Sequence, residues 1–139
     1  MKKEQIEHIA DQFFAAVESG DLDALVANYH PDVRIWHSRD EADTDIAQSK
    51  ELLSVFFERV SERKYEILRR EYFDGGFVQE HVVHGVMQDG SRFKLPVGFL
   101  CHVDENGLIR RIAEYCDSNK SPLRGLRQDH TPANTEASS

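Results

Sequence analysis

The chain has 139 residues, the length of a single domain with its own core. Its 40% hydrophobic and 30% charged residues fit a soluble globular protein, and its formal net charge of -8 argues against nucleic acid, whose phosphates call for a basic face. No apolar run reaches the roughly 20 residues of a membrane helix. The start, MKKEQIEHIADQFF, lacks the apolar stretch of a secretory signal, so a cytoplasmic chain with free thiols is expected.

In chain order, Ile6, Ile9, Ala10, Phe13 and Val17 recur at helical spacing and predict an amphipathic helix over Lys3 to Ser19. Gly20 suits its stop and Asp21 the N-cap of a second, short helix. That helix carries Leu22, Leu25, Val26 and Tyr29 on its apolar face. Pro31 then disfavours helical geometry at His30. A strand follows, with Val33, Ile35 and His37 on one face and Arg34 and Trp36 on the other. SRDEADTD reads as a polar loop. Asp45 with Gln48 resembles a capping box for a third helix bearing Ile46, Leu52, Leu53, Phe56, Phe57 and Val60.

After Ser61 the hydrophobic period changes to two. KYEILRREYF, FVQEHVVHGVM, RFKLPVGFLCHV and LIRRIAEYCD predict four strands, joined at Asp74-Gly75, QDGS and DENG. Pro96 predicts an irregularity in the third of these. From Ser118 onward periodicity is lost. A single domain over 1–118 and a mobile tail over 119–139 are expected. Helices first and a run of strands after indicate an α+β fold.

This order resembles the NTF2-like superfamily, and within it the SnoaL-like and ketosteroid-isomerase-like proteins. The resemblance covers about residues 5 to 118. It is carried by ESGDLDALVANYHPDVRIWH at the helix–helix–strand passage and VDENGLIRRIAEYCD at the last hairpin. It implies a cone, a curved mixed or antiparallel sheet wrapped around the helices, with an apolar pocket open at one end. It also implies a homodimer through the sheet. It does not fix function, because the same cone hosts isomerases, cyclases, binding modules and adaptors.

Position by position, the resemblance places His37 where ketosteroid isomerases carry their carboxylate base. Phe13 and Phe99 stand where those enzymes carry the two donors to the oxyanion. Phenyl rings donate no hydrogen bond to an enolate, so steroid isomerase chemistry in its known form is not expected. Ile112, Glu114 and Cys116 share the face of the last strand that the resemblance turns inward. Asp117 lies near the catalytic aspartate of SnoaL-like cyclases, although a one-residue slip would exchange it with Cys116. Those cyclases also use a histidine from the strand that here holds His81 and His84. Three apart, the two point to opposite faces, and His81 is the favoured one.

The catalytic candidates are therefore His37, Glu114, Asp117 and His81. His37 would be a general base whose tautomer and pKa a neighbouring Glu114 would set. The plainer alternatives are an exposed strand-end histidine, a convex-face glutamate, a strand-end cap at Asp117 and a packed sheet histidine. The ligand wall expected is Phe13, Tyr29, Ile35, Trp36, Val97, Phe99, Ile112 and Cys116. For Trp36, alternation leaves open an anchoring role on the other face.

No zinc spacing is present, so neither metal nor cofactor is expected, and the DENG hairpin register does not set Cys101 opposite Cys116. The leading expectation is cofactor-free acid/base chemistry on a small, mostly apolar carbonyl compound such as a polyketide-like one. The alternatives are a pocket that binds without turnover and a protein-interaction module using the sheet.

Overall fold

The computed structural model describes residues 1–124. The elements are α1 (Lys3–Ser19), α2 (Leu22–Val26), β1 (Tyr29–His37), β2 (Ala42–Thr44), α3 (Ile46–Arg59), β3 (Val60–Phe73), β4 (Gly76–Met87), β5 (Arg92–Val103) and β6 (Ile109–Cys116). A single 3-10 turn follows at Ser118–Lys120. One sheet holds all six strands in the order β2-β1-β6-β5-β4-β3. It is antiparallel except where β1 runs parallel to β6. Three helices against one mixed sheet make the fold α+β, an NTF2-like cone.

Local chemistry accounts for the helix ends. Gly20 closes α1 in the left-handed region at φ 75°. Asp21 caps α2 by accepting from the Ala24 amide at 3.1 Å. Asp45 and Gln48 exchange two hydrogen bonds of 2.9 Å at the start of α3, a true capping box. Gly75, at φ 90°, turns the β3–β4 hairpin.

Three expectations need correction. Tyr29 opens β1 rather than closing α2, because the chain has already left the helix at Ala27 and pairs at Tyr29 with Ile109. The loop SRDEADTD contains the three-residue strand β2, whose pairing sets Ile35 opposite Thr44 and His37 opposite Ala42. Pro96 leaves β5 unbroken. It sits one residue beyond the β6 ladder, which starts at Val97 opposite Cys116, so less of the pairing depends on its missing N–H.

The core lies between α1, α3 and the concave face of the sheet. Ile6, Phe13, Leu25, Val33, Phe77 and Ile112 are among its buried members. The start of the expected tail is ordered against it: after the 3-10 turn, Leu123 packs on the core and Arg59 donates to the Pro122 carbonyl at 3.2 Å. The remainder, 125–139, lies outside the described residues. No helix among the described residues is long and apolar enough to cross a membrane.

Candidate active site

The parallel pairing of β1 with β6 builds the centre of the site. Its register sets Ile35 beside Ile112, Trp36 beside Ala113 and His37 beside Glu114. Ser38 clips the strand ends together. Its amide donates to the Glu114 carbonyl at 2.9 Å, and its hydroxyl accepts from the Cys116 amide at 3.0 Å. Two residues 77 apart in sequence are thereby fixed side by side, with His37 Nδ1 3.0 Å from Glu114 Oε1. Their side chains are 17% and 28% exposed, so the pair lies at a rim that solvent and ligand can both reach.

Burial alone would raise the Glu114 pKa. The hydrogen bond and charge of His37, with the nearby His81 and Arg39, reverse this and hold it below the ordinary carboxylate value. Glu114 is thus an ionised acceptor at neutral pH. Nδ1 of His37 must carry the proton that it accepts, which leaves Nε2 unprotonated and basic.

The pair opens on a cavity of about 110 Å³. A water needs roughly 10–15 Å³ of such space, so the cavity suits a compact molecule of about one ring. Phe13, Tyr29 and Ile35 form one wall. Val97, Phe99, Ile112 and Cys116 form another, and Leu52, Leu53 and Phe56 of α3 a third. Ser121, Pro122 and Leu123 close part of the mouth. The lining is mostly apolar with a few convergent polar groups, the composition of small-molecule sites.

Seven of the eight expected wall residues therefore line the cavity, and Trp36 does not. Alternation turns it to the convex face, where its ring packs on Tyr115 at 5.0 Å. Asp117 is also outside. It is exposed, and its carboxylate accepts from the Asn119 amide at 3.0 Å, capping the 3-10 turn.

His81 is 1% exposed, and its ring touches Phe14, Tyr65 and Phe99, all cavity wall. Burial lowers its pKa to about 4, with the positive charge of Arg70 adding to this and the negative charge of Glu114 opposing it. His84 faces the other way and pairs with Glu66 at 2.8 Å.

Sequence reasoning missed Arg39, Ser49 and Tyr65. Arg39 lines the cavity and pairs with Asp40 at 3.1 Å. Ser49 is a small, buried polar residue inside the apolar stripe of α3, and it lines the cavity together with Tyr29. Tyr65 lines the cavity from β3, and burial raises its pKa. Both thiols are free and raised by burial, Cys101 to about 12 and Cys116 to about 11, which leaves neither a ready nucleophile. Among the described residues no cluster of three His, Cys, Asp or Glu side chains is set to hold a metal ion.

With this geometry in hand, the comparisons with known proteins are decisive for the family. The family model for the SnoaL-like domain matches residues 10–112. The chain belongs to the SnoaL-like family. No protein of curated function matches the sequence. Among solved structures, the chain is similar to the pinacolase BvnE of Penicillium brevicompactum, with a TM-score of 0.76, 14% identity and coverage of 85% of this chain and 89% of that one. It is also similar to a protein assigned as a SnoaL-like polyketide cyclase from Shewanella denitrificans, with a TM-score of 0.74, 15% identity and coverage of 86% and 94%. A third, from Catenulispora acidiphila, has a ketosteroid-isomerase-like fold and was solved with trimethylamine. Its TM-score is 0.70, with 19% identity and coverage of 89% and 97%. At these identities the likeness is one of fold.

Proposed function

We propose that this SnoaL-like chain is a cofactor-independent enzyme that moves a proton on a small, mostly apolar carbonyl compound. The observation that carries this reading is the His37–Glu114 pair at the mouth of an apolar cavity. The unprotonated Nε2 of His37 takes a proton from the carbon next to the carbonyl. The C–H electron pair becomes a C=C bond, and the carbonyl π pair moves onto oxygen. The Glu114 carboxylate stabilises the imidazolium that forms and holds its orientation. Return of the proton to the same or another carbon gives exchange or isomerisation. The polyketide-cyclase and pinacolase assignments of fold relatives are compatible with such chemistry.

A small cyclic ketone tests the reading. Incubated with cyclohexanone in D2O, the protein should accelerate loss of the α-proton NMR signal, and His37→Ala should lower that rate by about 10²–10⁴-fold. Equal rates for the two proteins would remove the base.

The second reading is binding without turnover, favoured by the apolar Phe13 and Phe99 at the positions of the isomerase donors. It predicts saturable ketone binding with no exchange. In either case we propose a homodimer through the convex face, where Leu68, Phe73, Val78 and Tyr115 are exposed large apolar side chains.

A further inference from the structure

The chain changes character at the end of β6. Up to Cys116 it is held on both sides, by pairing with Val97 of β5 and by the Ser38 hydroxyl. Beyond Asp117 it forms a small loop, 118–124, bonded chiefly to itself. The Ser121 hydroxyl accepts from the Leu123 amide at 3.1 Å. Arg124 reaches back with its side chain to the Asn119 carbonyl at 3.1 Å and with its amide to the Ser121 carbonyl at 3.0 Å. Pro122 disfavours helical geometry at Ser121, whose backbone is extended at φ -71° and ψ 139°. The chain therefore leaves the 3-10 turn and runs across the mouth of the cavity, where Ser121, Pro122 and Leu123 are lining residues.

This strap is the least anchored part of the cavity wall. Among the described residues, one hydrogen bond ties it to the body: Arg59 donates to the Pro122 carbonyl at 3.2 Å. Beside it, Leu123 packs against the core as a partly buried side chain. The other walls are of a different kind. Phe13, Ile35, Val97, Phe99 and Ile112 are buried within the hydrophobic core, and Leu52 and Phe56 are buried on α3. Close-packed side chains of that sort yield little to a bulkier ligand. A surface loop with few ties opens locally at small cost. Arg59 stands three residues after Phe56 on α3, close to the same face. One helix thus supplies both a fixed wall and the latch.

We propose that the strap is the specificity element of this pocket. Held down by Arg59 and Leu123, it limits the ligand to a one-ring ketone; lifted, it admits a fused two-ring ketone. The inference rests on the reading above for the class of ligand, but not on turnover. A ketone whose carbonyl meets His37 at the rim places its ring among the apolar walls. The cavity of about 110 Å³ is then filled. A second ring must find its space at the mouth, against Leu123. Exclusion by size in an apolar pocket discriminates by roughly 10–200-fold. Arg59 is not among the lining residues. It acts through the Pro122 carbonyl, as a positioning residue.

The probes are cyclohexanone and 1-tetralone, a fused two-ring ketone that also carries exchangeable α-protons. Binding to the full chain is followed by ligand NMR, and exchange in D2O is followed in the same samples. The unaltered protein should bind 1-tetralone about tenfold more weakly than cyclohexanone. Leu123→Ala and Arg59→Met should each raise the ratio of tetralone to cyclohexanone affinity by about tenfold. Arg59→Lys, which can still donate to the Pro122 carbonyl, should keep the original ratio. Equal binding of the two ketones by the unaltered protein, or a ratio that neither variant moves, would overturn the gate. Binding of neither ketone to any of these proteins would overturn it together with the ligand class. A ratio that shifts as expected, with no exchange of either ketone, would support the gate and remove the His37 base. Cyclohexanone exchange that is lost in His37→Ala, with an unmoved ratio in the strap variants, would do the reverse.

Discussion

Two histidines on the same concave face, His37 and His81, have been given opposite tasks by their neighbours. His37 stands at the rim beside a carboxylate, which fixes its proton on Nδ1. His81 is fully buried behind the Gln79 amide, itself pinned by Arg70, which fixes its proton on Nε2 and opposes any charge. The side chain is the same, so the difference lies wholly in which group faces Nδ1. An acceptor there makes a base of the far nitrogen, and a donor makes it a hydrogen-bond donor. Tautomer and charge are properties of the surroundings, and each arrangement can be broken separately.

The largest effect falls on His81 and on stability. Its ordinary pKa is 6.5 and its folded value is about 4. At neutral pH both folded and unfolded chains are neutral there. As pH falls below 6.5 the unfolded chain takes up a proton that the folded chain refuses, so stability is lost until pH reaches about 4. The full shift amounts to about 3 kcal/mol. Glu114 behaves in the lower window. Its folded pKa is depressed, so its contribution is present above the ordinary carboxylate value and is lost as pH falls through the folded one. Urea unfolding at pH 7, 5.5 and 4.5 should show the His81 decline, and His81→Phe should flatten it. An unchanged slope in that variant would mean that His81 is charged or accessible in the folded protein.

Next in size is Glu114→Gln. The glutamine amide can donate to His37 Nδ1, which would move the proton to Nε2 and abolish the base while keeping the shape. Ketone exchange should fall about a hundredfold, and the His37 ring should lose its Nδ1 proton by 15N NMR. A full exchange rate in this variant would separate the two residues chemically despite their 3.0 Å approach.

The contrast also shows what the sequence could and could not disclose. Alternation along LIRRIAEYCD put Glu114 on one face with Ile112 and Cys116, and alternation along DVRIWH put His37 on one face with Val33 and Ile35; that these faces look into a pocket came from the resemblance. That they are neighbours depends on a parallel pairing of strands 77 residues apart, which no local pattern encodes. The resemblance to a known family placed both residues at the pocket, and the structure supplies the pairing. The His81 network was hidden for another reason. Tyr65 and Arg70 are five apart on β3, so regular alternation puts them on opposite faces. The register slips between Ile67 and Arg69, and the bulge restores both to the concave side. A strand as polar as KYEILRREYF gives no sign of where that slip occurs. β2 escaped notice because three residues, two of them polar, carry too little pattern to register. The helix caps were legible because each is closed within four residues.

The smallest effect expected is at Asp117, and it still decides something. The resemblance to cyclases made Asp117 a candidate acid, whereas its carboxylate caps a 3-10 turn at 3.0 Å from the Asn119 amide and is exposed. Asp117→Ala should cost at most about 1 kcal/mol of stability, the range of a lost cap. Exchange of cyclohexanone protons should stay within twofold, because the rim pair is untouched. Ser121, Pro122 and Leu123 follow this turn onto the mouth of the cavity. Any effect on exchange should therefore appear as weaker ketone binding rather than a slower maximal rate. A large fall in the maximal rate would place Asp117 in the chemistry, and the rim pair would then have to admit a third group.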